Sequence, residues 1–435
     1  MKRNFLAPGC PVAALLCIVV AALVCLAAGP PTSYDRFFTS ETMRVDYVHT
    51  GGLGAEALAL DRVASDGPWP GSRTNLVDDT NLGTYFFEVA DRDSHQIIYS
   101  RGFGSIYGEW ATTADVRSST RTFQESLRFP WPKAPVRIQL KRRDAENAFR
   151  DLWSTDIDPR APAARRQEPH SAGRVWPVFE SGPPAEKVDL LLMSEGYTAR
   201  QIPKFHADAA RLVNALFSYE PFKSRKSDFN VRGLDLPSDE SGITNPRQGL
   251  FRRTPLSAQY GVFGLERYIL SYDNRALREA ASAAPYDVVE ILVNDNEFGG
   301  GGIFNLQSTV AVDNPLAERV FVHEFGHNLA GLGDEYTGNV TYETSAAERP
   351  EPWEPNLTAL KNPAALKWRD LVEAGTPIPT PPSFAGRVGA FEGGGYVEHG
   401  LYRPEAACIM GSTGALGFCR VCQRAINRAI DRFGR

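Results

Sequence analysis

The chain has 435 residues, 43% hydrophobic and 23% charged, a composition typical of a soluble globular protein with two or three domains. A formal net charge of -5 and a pI near 5.9 exclude the basic surface that nucleic-acid binding needs and a strong attraction to anionic membranes. We therefore expect no nucleic-acid partner.

The N-terminal segment has the pattern of an export signal. Lys2 and Arg3 precede an apolar run over residues 11–28, which ends in small residues. This pattern favours a signal peptide at residues 1–28, cleaved near Ala28, over a retained membrane anchor. We expect an extracytoplasmic protein, secreted or associated with the cell surface, with no stable membrane insertion after cleavage. The alternative is a protein anchored by its N-terminus.

Residues 34–143 have the pattern of a β-domain. Residues 85–89 and 95–99 flank a turn-rich stretch, and residues 136–140 alternate apolar with polar side chains. These features predict an antiparallel β-sandwich. We expect its aromatic residues to form the core rather than a carbohydrate-binding platform: Phe103, Tyr107, Trp110, Phe123, Phe129 and Trp131.

Residues 144–184 are rich in proline and predict a linker between two domains. The basic pair Arg165-Arg166 in this segment is interpreted as solvated linker surface, with a processing site as the alternative.

Residues 185–435 have the pattern of an α/β domain. Residues 188–193, 230–236 and 288–293 are predicted strands, and residues 198–217 are a predicted amphipathic helix. Strands that alternate with helices indicate a largely parallel sheet. The fold class is therefore mixed α and β, with an antiparallel sandwich in front of an α/β domain.

A glycine run at residues 299–302 predicts a mobile loop that leads into a strand at residues 303–312. A strand that precedes a helix bearing a functional site can be the edge of the sheet and receive an extended peptide as an added strand. We predict that role for residues 304–310, with Phe304, Asn305 and Leu306 as substrate-binding residues. The alternative is an interior strand.

The next helix carries the residues that say most about function. Asn314 is a good N-cap and Pro315 suits the first helical position, so a helix is predicted from there to Leu329, with Gly331 and Gly333 as a stop.

His323 and His327 lie four residues apart in this helix, so both imidazoles face one side and can reach a single Zn2+. Glu324 is then placed as general base, which accepts a proton from a zinc-bound water and later delivers it to the departing amine. A catalytic zinc site normally has a third protein ligand. Asp334 is the leading candidate, and Glu335 and His399 remain alternatives. Tyr336 and Tyr402 are candidates for stabilising an oxyanion, or else packing residues.

Three cysteines lie near the C-terminus: Cys408, Cys419 and Cys422. In an oxidising compartment two of them are expected to pair, although the sequence does not say which. Their spacing also allows a structural metal site with His399. Elsewhere, Asp239 and Glu240 are either a Ca2+ site or a solvated turn.

The run at residues 323–336 resembles the metzincin clan of zinc peptidases, which place a glycine and a third ligand after the second histidine. The usual third-ligand position is Gly333 here and the acid follows it, so the resemblance implies a longer turn with Asp334 as ligand. Cys408-Ile409-Met410-Gly411 resembles the Met-turn of the clan. That likeness implies that Met410 packs beneath the metal as a structural floor.

The chain as a whole resembles the IgA-peptidase family of bacterial metallopeptidases, in which an N-terminal β-domain precedes a zinc catalytic domain. Besides the metal segment, the matching stretches are Tyr99-Ser100-Arg101-Gly102-Phe103, Gly108-Glu109-Trp110, Ser194-Glu195-Gly196-Tyr197, Glu240-Ser241-Gly242 and Gly400-Leu401-Tyr402-Arg403-Pro404. The family name describes the substrate of one member and is not carried to this chain.

We therefore expect a secreted zinc endopeptidase that acts on proteins or peptides. Its rivals are a zinc hydrolase of cell-wall or glycan-linked amides and a non-enzymatic surface adhesin with a structural metal. The sequence is silent on cleavage preference and on the oligomeric state.

Overall fold

The computed structural model of the protein describes residues 33–162, 164–165, 173–338, 351–411 and 414–434. The predicted signal peptide and Arg166 lie outside these ranges. The α-helices of the described residues are α1 (Tyr34–Phe37), α2 (Ile106–Trp110), α3 (Ile202–Leu216), α4 (Asn274–Ala281), α5 (Ala317–Ala330) and α6 (Arg420–Phe433).

Two four-stranded sheets form the N-terminal part of the fold. Their strands are β1 (Phe38–Gly52), β2 (Ala55–Pro68), β3 (Tyr85–Asp91), β4 (Ile97–Phe103), β5 (Arg121–Pro132), β6 (Val136–Arg143), β7 (Phe149–Ile157) and β8 (Ala164–Arg165). One sheet has the order β5-β1-β2-β8 and the other β4-β3-β6-β7. Neighbouring strands are antiparallel except for the short β8, which runs parallel to β2.

The two sheets share one hydrophobic core, to which both contribute inward-facing side chains. The six aromatic residues predicted for this core are all buried. The predicted sandwich is therefore confirmed, and the alternating pattern in β6 reflects a strand with one face in the core.

The segment predicted as a linker contains regular structure. β7 pairs with β6 in the N-terminal sheet. A further strand, β9 (Arg174–Phe179), pairs with a strand of the next sheet. The prolines, including Pro177 in β9, hid the strand pattern in the sequence. Pro177 is tolerated because β9 is an edge strand, where a missing N–H does no harm. The position of the domain boundary stays a prediction.

A six-stranded sheet dominates the rest of the chain. Besides β9 it contains β10 (Val188–Glu195), β11 (Phe229–Asp235), β14 (Val288–Val293), β15 (Gly300–Ile303) and β16 (Gln307–Ala311). The remaining strands form two small hairpins: β12 (Ala258–Gln259) with β13 (Leu270–Ser271), and β17 (Phe391–Gly394) with β18 (Val397–Arg403).

The order of the large sheet is β15-β16-β14-β10-β11-β9, in which the four inner strands are parallel and both edges are antiparallel. Residues along β10 alternate between two cores. Leu190 and Leu192 pack with α3, α5 and α6, whereas Leu191 and Met193 pack on the opposite face with α4. Because both faces are covered, β10 is buried along its whole length, as its apolar run predicted.

Two predictions around the glycine run are wrong. The glycines form β15 rather than a mobile loop, and this strand is the edge of the sheet. Residues 304–310 are therefore not an edge, because β16 is paired on both sides. The glycines allow β15 to lie directly on α5: a Cβ on Gly302 would come within 2.7 Å of Glu324 O and 2.9 Å of His327 Cβ.

Among the described residues, no helix is long and apolar enough to cross a membrane. From Ser33 onward the chain forms one compact unit.

Candidate metal centre

Helix α5 positions the two predicted metal ligands. Asn314 Oδ1 accepts a hydrogen bond from the backbone N–H of Leu316 at 3.0 Å, so the helix begins slightly later than predicted, at Ala317. Gly331 ends it in the left-handed conformation, with φ +60°. Phe321 and Phe325 anchor the buried side of the helix, which leaves His323 and His327 together on the face toward the site.

Hydrogen bonds to two backbone carbonyls orient both imidazoles. His323 Nδ1 donates to Ile409 O at 3.0 Å, and His327 Nδ1 donates to Leu332 O. A carbonyl oxygen can only accept, so the proton of each neutral ring is on Nδ1 and the lone pair is on Nε2. The two Nε2 atoms then face each other, 3.1 Å apart.

Asp334 completes the group. The chain turns back after α5, and Asp334 Oδ1 lies 3.0 Å from His323 Nε2 and 3.4 Å from His327 Nε2. Its other oxygen accepts a hydrogen bond from the hydroxyl of Tyr396, and its backbone carbonyl accepts one from Gly395 N at 2.7 Å. These contacts hold the carboxylate against the histidines.

The three facing atoms fit a metal ion. When both rings are neutral, the two Nε2 atoms are acceptors like Asp334 Oδ1, and Oδ1 is buried without a hydrogen-bond partner among the described residues. Three converging acceptors repel one another unless a cation lies between them. Two imidazoles and one carboxylate are a donor set that suits Zn2+ and leaves a coordination position open.

The charges of the group act strongly on one another. Burial lowers the pKa of His327, but Asp334, Glu324 and the hydrogen bond to Leu332 O together raise it to about 9. Burial favours the neutral form of Asp334, yet the two histidines hold its pKa well below the usual range. The histidine side chains are 16% and 15% exposed, so the site opens to solvent.

Glu324 lies between α5 and the edge strand. Burial raises its pKa, while His323 and His327 act in the opposite direction. A Cβ on Gly302 would come within 3.1 Å of Glu324 Oε2, so the backbone of β15 passes beside the carboxylate. This places a carboxylate next to the histidine pair and beside a sheet edge.

The sequence analysis missed three residues at this site. Arg267 Nη2 donates to the hydroxyl of Tyr336 at 2.8 Å, and the Tyr336 ring stacks on His323 with centroids 6.5 Å apart. Tyr396 contacts Asp334, as described above. Glu109 of α2 is the third: burial raises its pKa to about 7, against the charge of His327. Two of them had a signal: Tyr396 follows three glycines that indicate a tight turn, and Glu109 lies in a stretch that matches the family.

Met410 lies beneath α5. Its side chain is fully buried, and a Cβ on Gly326 would come within 3.2 Å of its sulfur. Two backbone carbonyls of this segment contact the candidate site and its neighbour: Ile409 O accepts a hydrogen bond from His323, and Met410 O accepts one from Glu335 N at 2.8 Å. The Met-turn role stays a prediction.

The other candidates for third ligand lie elsewhere. Glu335 points away from the histidines toward Cys408, Cys419 and Cys422. His399 is on β18 with its side chain 80% exposed, next to Glu392. The expected disulfide is wrong: all three cysteines are free, and the sulfurs of Cys408 and Cys422 are 3.8 Å apart, well beyond a covalent bond.

The proposed substrate residues form the turn between β15 and β16. Phe304 packs on Trp353, with centroids 5.6 Å apart, and Leu306 enters the core of the N-terminal sandwich. Asn305 Nδ2 donates to Gly102 O at 2.7 Å. All three side chains therefore make contacts within the fold, and their role in substrate binding stays a prediction.

The acidic pair considered for Ca2+ has a different partner. Glu240 Oε1 lies 2.8 Å from Arg252 Nη1, and Asp239 is exposed. Neither residue belongs to a cluster of three metal-ligating side chains within the described part of the chain. Tyr402, the other oxyanion candidate, lies on β18 and exchanges two backbone hydrogen bonds with Thr358.

Comparison with known families gives two matches. A family model described as IgA Peptidase M64 matches residues 176–384 and 382–430, which is more than half of the chain. A second, described as Peptidase M64 N-terminus, matches residues 33–154. No curated protein was found to match the chain.

Proposed function

The chain belongs to the IgA peptidase M64 family and is a peptidase, and from that premise we propose that it is a zinc-dependent endopeptidase of extracellular proteins. The observation that carries the proposal is the convergence of His323 Nε2, His327 Nε2 and Asp334 Oδ1. These residues would hold the ion. When bound, Zn2+ supplies a Lewis acid that polarises the scissile carbonyl and activates water.

Glu324 is the proposed general base. It accepts the proton of the attacking water and delivers it to the leaving amine, so no covalent intermediate is needed. A carboxylate whose pKa is raised by burial binds a proton more readily at neutral pH, which suits both halves of this role.

Tyr336 is the proposed oxyanion donor. Arg267 donates to its oxygen, which leaves the hydroxyl proton of Tyr336 for a substrate oxygen. The arginine also places positive charge near the developing oxyanion.

A substrate in extended conformation would lie along the edge strand. Gly300 at the start of β15 is already hydrogen-bonded to Arg267 and Ile269, so the part of this edge strand proposed for the substrate is the one around Gly302, next to Glu324 and His327. Addition of a peptide strand there would bring its backbone beside the catalytic group. The proposal therefore adds the edge strand β15, at Gly302, to the predicted substrate residues Phe304, Asn305 and Leu306.

Export is part of the proposal. It is supported by Lys2, Arg3 and the apolar residues 11–28, and the extracytoplasmic substrates follow from it.

The direct test is Glu324→Gln. We expect kcat/KM on a casein or peptide-library substrate to fall by at least about 100-fold, because the base is removed, with zinc content unchanged. Glu318→Gln, an exposed acid in the first turn of α5, is the matched control and should keep full activity. His327→Ala should lose both zinc and activity.

Retained hydrolysis in Glu324→Gln would contradict the assignment. A cell-wall preparation assayed in parallel separates the rival amide hydrolase, which would act on glycan-linked peptides and spare proteins. Zinc binding without hydrolysis of either substrate would indicate an adhesin.

A further inference from the structure

A second group of metal-ligating side chains lies behind the candidate active site. It consists of Glu335, Cys408, Cys419 at the N-cap of α6, and Cys422 in the first turn of that helix. All four are buried, and their ligand atoms lie within 4.8 Å of one another. Nothing in the proposed mechanism uses them.

The carboxylate of this group lacks a matching positive charge. Glu335 Oε1 accepts from Asn356 Nδ2 at 2.9 Å, but Oε2 is buried with no hydrogen-bond partner among the described residues. Arg403, whose charge acts on Glu335, donates instead to the carbonyls of Glu392 and Gly393. A buried carboxylate in this state is costly unless a cation compensates it.

The spacing of the atoms fits tetrahedral Zn2+. With zinc–sulfur and zinc–oxygen bonds of about 2.3 and 2.0 Å, tetrahedral ligands are about 3.8 Å apart for two sulfurs and about 3.5 Å apart for sulfur and oxygen. Here the sulfurs of Cys408 and Cys422 are 3.8 Å apart. Glu335 Oε1 is 3.2 Å from Cys422 Sγ and 3.9 Å from Cys419 Sγ.

The local backbone also favours thiolates. Cys419 N–H points at Cys408 Sγ at 3.3 Å, and Cys422 N–H points at Cys419 Sγ at 3.4 Å. The N-terminus of α6 adds its dipole at the same place. Donated hydrogen bonds and a helix N-terminus stabilise negative sulfur, which is the form that binds metal.

We propose that Glu335, Cys408, Cys419 and Cys422 bind a structural Zn2+, separate from the ion proposed for the histidine site. Four protein ligands close the coordination sphere, which distinguishes a structural ion from a catalytic one. The inference goes beyond the proposed function and does not depend on it.

The ion would fasten three segments that build the active site. Glu335 follows Asp334, its backbone N–H donates to Met410 O, and a Cβ on Gly411 would come within 2.9 Å of its side chain. Cys419 and Cys422 belong to α6, which packs with α5 in one core. Zinc at this point therefore joins the Asp334 segment, the Met410 segment and the C-terminal helix.

Zinc content tests the proposal in the full-length protein. The variant His323→Ala/His327→Ala removes the first site and should still purify with one zinc per chain, against two in the wild type. Adding Cys408→Ser/Cys422→Ser to this background should remove the remaining ion. Zinc-free double-histidine protein would overturn the proposal, whereas one zinc there with none at the histidine site in the wild type would overturn only the proposed function.

Cobalt gives a readout that a folding defect in the cysteine variant cannot mimic. Co2+ bound to the double-histidine variant should show an intense sulfur-to-cobalt charge-transfer band, which imidazole and carboxylate ligands do not produce. Glu335→Gln should release zinc to a chelator at least tenfold faster. Glu405→Gln is its matched control, since that carboxylate contacts the N-terminus of α6 outside the cluster. A spectrum without the sulfur band, or equal release rates, would contradict the site.

A disulfide is the competing explanation and is tested by peptide mapping. Trypsin cleaves after Arg420 and so separates Cys422 from Cys408 and Cys419. Alkylation in denaturant with chelator, without reductant, should modify all three cysteines. A peptide containing Cys422 linked to either partner would overturn the proposal.

Discussion

Two carbonyl oxygens decide the chemistry of the histidine pair at the scale of single residues. Ile409 O and Leu332 O each accept a hydrogen bond from an Nδ1–H, so in the neutral rings both Nε2 lone pairs face Asp334 Oδ1. Sequence spacing places the imidazoles on one face of a helix, but it does not determine which nitrogen points inward. The acceptors do so, and they come from outside α5.

Glu290 carries a residue-scale prediction about pH. It is fully buried on β14, with Ser308 donating to Oε1 and no partner for Oε2 among the described residues, and burial raises its pKa well above the usual value. Above the ordinary pKa of glutamate, the unfolded chain releases the proton of Glu290, whereas the folded state still binds it. This contribution to stability is fully present at low pH and is lost as pH rises from about 4.5, by about 1.4 kcal/mol for each pH unit up to the folded pKa.

Glu290→Gln removes this pH dependence. We expect the variant and the wild type to have similar stability in urea near pH 4.5, and the variant to be increasingly the more stable toward pH 8. Glu398→Gln, an exposed acid on β18, should follow the wild type at every pH. A constant difference between Glu290→Gln and the wild type across this range would contradict the argument.

At the scale of elements, the contact between β15 and α5 sets the geometry of the site. A strand can lie this close to a helix only where it has no side chains on the facing side. The glycines therefore serve close approach rather than chain mobility.

Gly302→Ala tests this contact. The added methyl would meet Glu324 O and His327 Cβ at 2.7 and 2.9 Å, so β15 must move away from the helix. We expect a stability loss of about 1–3 kcal/mol and a fall in kcat/KM of at least about tenfold. Gly417→Ala is the control, since its Cβ would meet only Tyr219, at 3.8 Å. Unchanged activity in Gly302→Ala would show that the close approach is unimportant.

Element prediction from the sequence succeeded where the signal is local. The strand at residues 288–293 has the bounds predicted for it, because a short apolar run between turn residues specifies a buried strand. The edge prediction failed because strand order depends on pairing partners, and the true edge strand lacks the side chains from which a strand pattern is read. The contacts of Tyr396 and Arg267 were not predicted for a similar reason. These residues lie 62 and 69 residues along the chain from their partners, Asp334 and Tyr336.

The two segments that match separate family models are in close contact in the fold. Ile303 at the end of β15 and Leu306 in the turn that follows are buried in the core of the N-terminal sandwich. Gly104 N donates to Phe304 O at 2.8 Å, and Glu109 of α2 lies within the field of His327. The N-terminal sheets therefore form part of the surroundings of the candidate metal centre.

Leu306→Ala tests this joint core. We expect calorimetry to show one unfolding transition for the wild type, and the substitution to lower the stability of the whole chain by about 2–5 kcal/mol. Leu416→Ala, at a side chain 96% exposed, should leave the transition in place. Two separate transitions, of which only one responds to Leu306→Ala, would contradict a single cooperative unit.

The hydrogen bond from His323 to Ile409 has a consequence for timing during biosynthesis. The histidines emerge from the ribosome about 80 residues before the carbonyl that orients one of them. A nascent chain that ends before Ile409 would carry both histidines and Glu324 but could not hold His323 in its working tautomer. We therefore expect proteolytic activity to begin only when the C-terminal segment has folded onto α5.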